Sequence, residues 1–201
     1  MSVRLRTWLL VFVLFMLGGC GDGSQPWALR DISGLLPPLA FELHDGSGRP
    51  RSASDFAGQV TLVYFGYTHC PDICPTTLAR LAGVVRRLGT TGEGIRILFV
   101  SVDPARDTPP VLQAYARAFG PQVVALSGTQ AQLTRLAKRY RISYGLGEPG
   151  ADGQYEVSHS SGIFIFDRDG EARLLATSAD TDDGLVTDLT RLVAGSGAGS
   201  G

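Results

Sequence analysis

Cysteine and histidine are scarce in this chain, with three of each among 201 residues. So few cysteines exclude a disulfide-stapled scaffold, which would need several bridges to hold a domain of this size. Basic residues show no surplus, 18 against 19 acidic ones for a formal charge of −1. Without that surplus there is no counterion release to drive binding to a nucleic acid, and that class of partner is excluded. No apolar run reaches the ~20 residues that a membrane-spanning helix requires, and no internal repeat marks a solenoid. What is present, 44% hydrophobic and 18% charged residues, is the balance of one globular domain with short extensions. Collagen-like, coiled-coil and disordered chains have other compositions.

The first nineteen residues stand apart. Arg4 and Arg6 precede ten apolar residues, Trp8 to Leu17, and Gly18, Gly19 and Cys20 follow. A charged start, a short apolar stretch and small residues at a cleavage point make residues 1–19 an export signal. The quartet LGGC resembles the bacterial lipoprotein signature, in which Cys20 receives a lipid and becomes the mature N-terminus. The expectation is therefore an exported protein, lipid-anchored on the periplasmic side of a bacterial membrane. With Cys20 lipidated, Cys70 and Cys74 remain as an even pair in an oxidising compartment. A bridge between residues four apart closes little chain and stabilises weakly, so a structural staple is the poorest reading of the pair.

Residues 20–38 are rich in Gly, Ser and Pro and read as a tether. The domain is expected over 39–194, beginning where Leu39, Phe41 and Leu43 alternate with polar neighbours as in a half-buried strand. QVTLVYFGY, from Gln59 to Tyr67, is the nearly continuous apolar and β-branched run of a central strand covered on both faces. Leu78, Leu81, Val84, Val85 and Leu88 have helical spacing, predicting a helix from Pro75 to Leu88. Further strands are expected at IRILFVSV and QVVAL, a helix from a Thr108 cap to a Gly120 stop, and another from Thr129 to Tyr140. GIFIFD and ARLLAT, joined by Asp167 to Gly170, read as a hairpin, Asp182 to Val193 as a closing helix, and 195–201 as a flexible tail. This order describes an α/β fold, a thioredoxin-like three-layer sandwich with a central mixed β-sheet.

The chemistry centres on THCPDIC, Thr68 to Cys74, at a strand-to-helix turn. Unpaired N–H groups and the dipole of a helix N-terminus favour thiolates, so both cysteines are expected to ionise readily as nucleophiles or ligands. Residues four apart on a helix share a face, so the pair can present two sulfurs to one point. Redox motifs ordinarily use CxxC, and the extra residue tilts the pair toward metal without deciding between redox and metal chemistry. Of the histidines, His44 reads as a solvated surface residue. His69, next to Cys70, reads as a group that tunes the thiolate or caps the strand. His159 lies in a loop before a buried strand, where a thioredoxin-like order places it beside the cysteine turn. Redox enzymes of that fold usually carry a cis-proline there, and no proline occurs between Tyr155 and Phe166.

DISGLLPPLAFEL, GQVTLVYFGYTHCPDICPTTLARL, LFVSVDPARDTP and VSHSSGIFIFDRDG occur in that order between Asp31 and Gly170. On these blocks the chain resembles the Sco/SenC family of copper-binding, thioredoxin-like proteins. The resemblance implies that Cys70, Cys74 and His159 bind one copper ion. It implies a chaperone that delivers copper to the dinuclear centre of cytochrome c oxidase subunit II. The alternative is a thiol-disulfide oxidoreductase or redox sensor that reduces that centre's cysteines. Two thiolates and an imidazole suit Cu(I), with Cu(II) accommodated by extra ligands. Zinc is disfavoured because its structural sites close with four ligands. An incomplete, exposed shell suits transfer by ligand exchange. An oxidising compartment would turn the pair into a disulfide that cannot hold Cu(I), which implies a periplasmic thiol reductant as partner, and other copper chaperones are further candidate partners.

One position departs from the family pattern: an aspartate commonly precedes the site histidine, and here Ser158 does, with Glu156 two residues earlier. Asp103, Asp72 and His69 are expected beside the site, touching its ligands or meeting a partner. For Asp103, in SVDPARDTP, a turn-forming Asp-Pro pair is an equal alternative.

Overall fold

Seven consecutive buried residues, Val60–Gly66, make β4, the strand on which the site is built. Apart from Thr61 and the Tyr64 hydroxyl the run is apolar, so a strand here is stable only with cover on both faces. Its companions are β5 (Ile95–Ser101) and β6 (Val123–Ser127), parallel to it in sequence, and β9 (Ile163–Phe166), antiparallel on its other side. β10 (Ala172–Ala176) and β1 (Arg30–Asp31) extend one edge, β2 (Glu42–Asp45) and β3 (Pro50–Ser52) the other. The computed structural model describes residues 25–148, 150 and 155–195. Among these, eight strands form one mixed sheet in the order β1-β10-β9-β4-β5-β6-β2-β3. The export signal over 1–19, Cys20 and tail residues 196–201 lie outside the described residues.

Among the described residues, four α-helices cover the sheet: α1 (Ile73–Arg87), α2 (Pro109–Phe119), α3 (Gln130–Arg139) and α4 (Asp182–Val193). The pairing register shows which face each takes. Tyr64 opposes Ile163, and its hydroxyl lies 3.7 Å from the Cys74 sulfur, placing α1 on that face. α4 packs against α1 and β4. Thr61 points the opposite way and opposes Phe166, whose ring meets Tyr140, just past α3, edge-on at 5.5 Å. The result is the thioredoxin-like three-layer sandwich expected from the element order. Helix limits follow local chemistry: Thr108 and two prolines open α2, Gly120 at φ 119° ends it, and Thr129 and Gln132 form a capping box on α3.

Two parts of the fold differ from the sequence reading. The stretch 20–38 is not tether throughout: Leu29 and Ile32 are buried and β1 pairs with β10. Leu29 N–H donates to the buried Asp188 carboxylate at 2.8 Å, and the Arg191 guanidinium stacks on Trp27 at 3.9 Å. Two apolar residues three apart among Gly, Ser and Pro carry no periodicity, so their burial was not legible. The second difference is a separate two-stranded sheet of β7 (Tyr144–Leu146) and β8 (Val157–His159), outside the main ladder.

Candidate metal centre

The cysteine turn is set by where β4 ends. Gly66 closes the strand, and a Cβ there would lie 2.7 Å from the Phe99 ring and 2.9 Å from the Cys74 sulfur, closer than side chains pack. The missing side chain is what lets the first turn of α1 sit against the strand end. That helix starts at Ile73, two residues ahead of the predicted Pro75, with Asp72 at the N-cap and Pro75 inside the first turn, where its missing N–H costs nothing. Cys74 is thus the second helical residue. Its N–H points at the Cys70 sulfur, 3.4 Å away, so Cys70 rests on the unpaired amides of the helix start.

The two free thiols therefore differ. Partial burial alone would raise the Cys70 thiol, but the N–H groups of Cys74, Asp72 and Ile73 outweigh it and hold this group below the ordinary thiol range. Cys74 is fully buried, and that burial pushes its thiol up to about 12. The expectation that both cysteines ionise readily holds for Cys70 alone, because at Cys74 desolvation exceeds what the helix start supplies. Likewise the pair does not face outward together: only Cys70 is accessible.

β8 brings the third residue. His159 ends that strand with Nε2 3.4 Å from the Cys74 sulfur and Nδ1 3.0 Å from the Ser160 carbonyl. A carbonyl only accepts, so Nδ1 carries the ring proton and Nε2 turns its lone pair to the sulfur. The Tyr64 and Tyr67 rings meet the imidazole edge-on, at 6.0 and 6.2 Å between centroids. With bonds of about 2.3 Å to sulfur and 2.0 Å to nitrogen, one ion at a tetrahedral or trigonal angle separates such donors by roughly 3.5–3.7 Å. The observed spacing fits that requirement with little movement. Among the described residues no three Cys, His, Asp or Glu side chains are already closed into a finished metal cage; Cys74 and His159 are in place and the Cys70 sulfur still rests on the helix amides.

The other residues named from sequence fall around this core. His69 is half-exposed, its Nδ1 3.2 Å from Thr68 Oγ1 and 3.4 Å from Asp107. Asp72 is exposed and accepts from Thr76 Oγ1 at 3.2 Å. Asp103 is wholly buried, which leaves it no face for a partner. Ser158 and Glu156 are exposed beside a groove of about 590 Å³ that also reaches Cys70, Ile73 and His159. His44 sits exposed on β2, remote from the sulfurs in the sheet order, as the surface reading held. Sequence reasoning missed Tyr64, Tyr67, Arg106, Asp107 and Tyr155. Tyr64 and Tyr67 lay within the run read as a central strand. Asp107 lay in a motif whose partners are 39 residues away.

The SCO1/SenC family model matches residues 38–194. A mitochondrial SCO2 homolog of Mus musculus is 36% identical over 83% of this chain and 70% of its own length. A human mitochondrial SCO1 homolog is 37% identical over 71% of this chain and 48% of its own. Among solved structures, Bradyrhizobium japonicum ScoI with copper bound shares 35% identity at a TM-score of 0.71, over 77% of this chain and 98% of that one. Yeast Sco1 with copper bound shares 30% identity at a TM-score of 0.72, over 79% and 90% respectively. With a family model spanning most of the folded domain and relatives of this identity, the chain belongs to the SCO1/SenC family.

Proposed function

We propose that this protein binds one copper ion through Cys70, Cys74 and His159 and passes it to the dinuclear copper centre of cytochrome c oxidase subunit II. The observation that carries the reading is the 3.4 Å approach of His159 Nε2, lone pair inward, to the Cys74 sulfur next to Cys70. Two sulfurs and one imidazole nitrogen form a soft donor set that suits Cu(I). The related Bradyrhizobium and yeast structures carry copper. Copper here is cargo: an acceptor's ligand approaches along the groove to the accessible Cys70 side, while Cys74 and His159 hold the ion from within. Residues 1–19 would direct export and a lipid on Cys20 would keep the domain at the periplasmic face of the membrane.

A second reading, thiol-disulfide exchange on the acceptor, is favoured by the asymmetry of the thiols. An accessible Cys70 with a lowered thiol pKa, backed by a buried Cys74, is the arrangement of an attacking cysteine and its resolving partner. Cu(I) titration of reduced protein against a competing chromophoric ligand tests the first reading. Wild type takes up one equivalent, Cys70→Ala and Cys74→Ala abolish tight binding, and His159→Ala weakens it. Unchanged affinity in these variants refutes it, and reductase activity without copper uptake selects the second.

A further inference from the structure

The copper site is assembled from two pieces that the main sheet does not hold in register. The cysteines follow β4, whereas His159 ends β8, which among the described residues pairs with β7 alone and lies outside the main sheet. A two-stranded hairpin is marginally stable alone and takes its position from contacts with the rest of the protein. One short segment after β5 touches both pieces. Asp107 accepts from Thr68 N–H at 2.9 Å and from Thr68 Oγ1 at 2.6 Å, two residues before Cys70. Asp103, fully buried, accepts the Tyr155 hydroxyl on one oxygen at 2.6 Å and Arg106 Nε on the other. The Arg106 guanidinium lies 3.6 Å over the Tyr155 ring. Tyr155 in turn leads into β8, four residues before His159.

As a turn device, Asp103 would need only the arginine three residues on. The tyrosine hydroxyl it also accepts comes from 52 residues away, so the segment is built to reach across. Burial matters because a hydrogen bond to a desolvated carboxylate is stronger than one in water. Arginine matters because its plane can pair with the carboxylate and stack on the ring at once, which a lysine cannot do.

We propose that the segment from Asp103 to Asp107 is a positioning clasp that registers the histidine hairpin against the cysteine turn, through Tyr155 on one side and Thr68 on the other. Its geometry stands without the metal; its consequence for copper rests on the site reading above. Tyr155→Phe removes the hydroxyl and keeps the ring, and Arg106→Ala removes the stack. In the metal-free, reduced protein, amide exchange at Gly147 and Ser160, whose N–H groups donate across the hairpin to Glu156 and Ser143 carbonyls at 2.8 and 3.0 Å, should quicken about tenfold in either variant while β4 and β5 amides keep their protection. Cu(I) affinity should fall about tenfold in Tyr155→Phe, the low end for a hydrogen bond to a charged group. Arg106→Lys should restore less than half of the protection that Arg106→Ala loses. Unchanged exchange at Gly147 and Ser160 overturns the clasp, as does a loss of protection spread evenly through β4 and β5. If wild type binds no copper while the hairpin still loosens, the site reading falls and the clasp stands.

Discussion

Raising the pH of the reduced, metal-free protein tests the inequality of its thiols. Cys74 is held near 12 by burial, against about 8.5 for a thiol in the unfolded chain. Below 8.5 both states keep this proton and stability is indifferent to it. Between 8.5 and 12 the unfolded chain loses a proton that the folded chain retains, so folding weakens as pH rises. The slope is about 1.4 kcal/mol per pH unit, or about 2 kcal/mol by pH 10. Cys70 acts in the other sense: its folded pKa lies below the unfolded one, so its contribution is present above 8.5 and lost as pH falls through the folded value. Urea denaturation from pH 7 to 10, with reductant and chelator, should therefore show Cys74→Ala lacking the alkaline decline relative to wild type, whatever its loss of absolute stability. Iodoacetamide labelling at pH 8 gives a second readout. An ordinary thiol is about one quarter thiolate there and a thiol at 12 about one part in ten thousand, so Cys70 should label fast and Cys74 only in urea. Equal labelling rates, or an alkaline slope that survives in Cys74→Ala, would refute the reasoning.

Gly66→Ala forces a methyl to within 2.9 Å of the Cys74 sulfur and 2.7 Å of the Phe99 ring. It should cost about 1–3 kcal/mol by overpacking and displace the sulfur from His159, read by urea midpoint and by Cu(I) affinity together. Asp188→Ala leaves the Leu29 N–H unpaired and removes the partner lying 3.6 Å from Arg191. A loss of about 2 kcal/mol is expected, with new protease cleavage within residues 25–32 while the sheet centre stays protected.

Much of the fold was legible because its signals are local. Val60–Gly66 reads as a buried strand from composition alone, and Thr108, Gly120 and Thr129 mark helix ends through groups within three or four residues of themselves. The β7–β8 hairpin was not legible: three-residue strands have no periodicity to detect, and their pairing spans the segment between them. The buried Leu29 and Ile32 were hidden for the same reason, since their partners Asp188 and β10 are more than a hundred residues away.

The site divides along the same line. The sequence alone determined the candidate donors, two cysteines four apart at a strand-to-helix turn and one histidine before a buried strand, because residue identity and turn placement are properties of residue type and near neighbours. Only the tertiary structure decided what those atoms are like. It buried Cys74 and raised its thiol while lowering that of Cys70, turned the Nε2 lone pair of His159 inward through the Ser160 carbonyl, and converted Asp103 from a candidate docking group into a buried clasp. Burial and long-range hydrogen bonds depend on which distant segments come together, and desolvation near Cys74 outweighs the helix start that local reasoning had credited to both thiols.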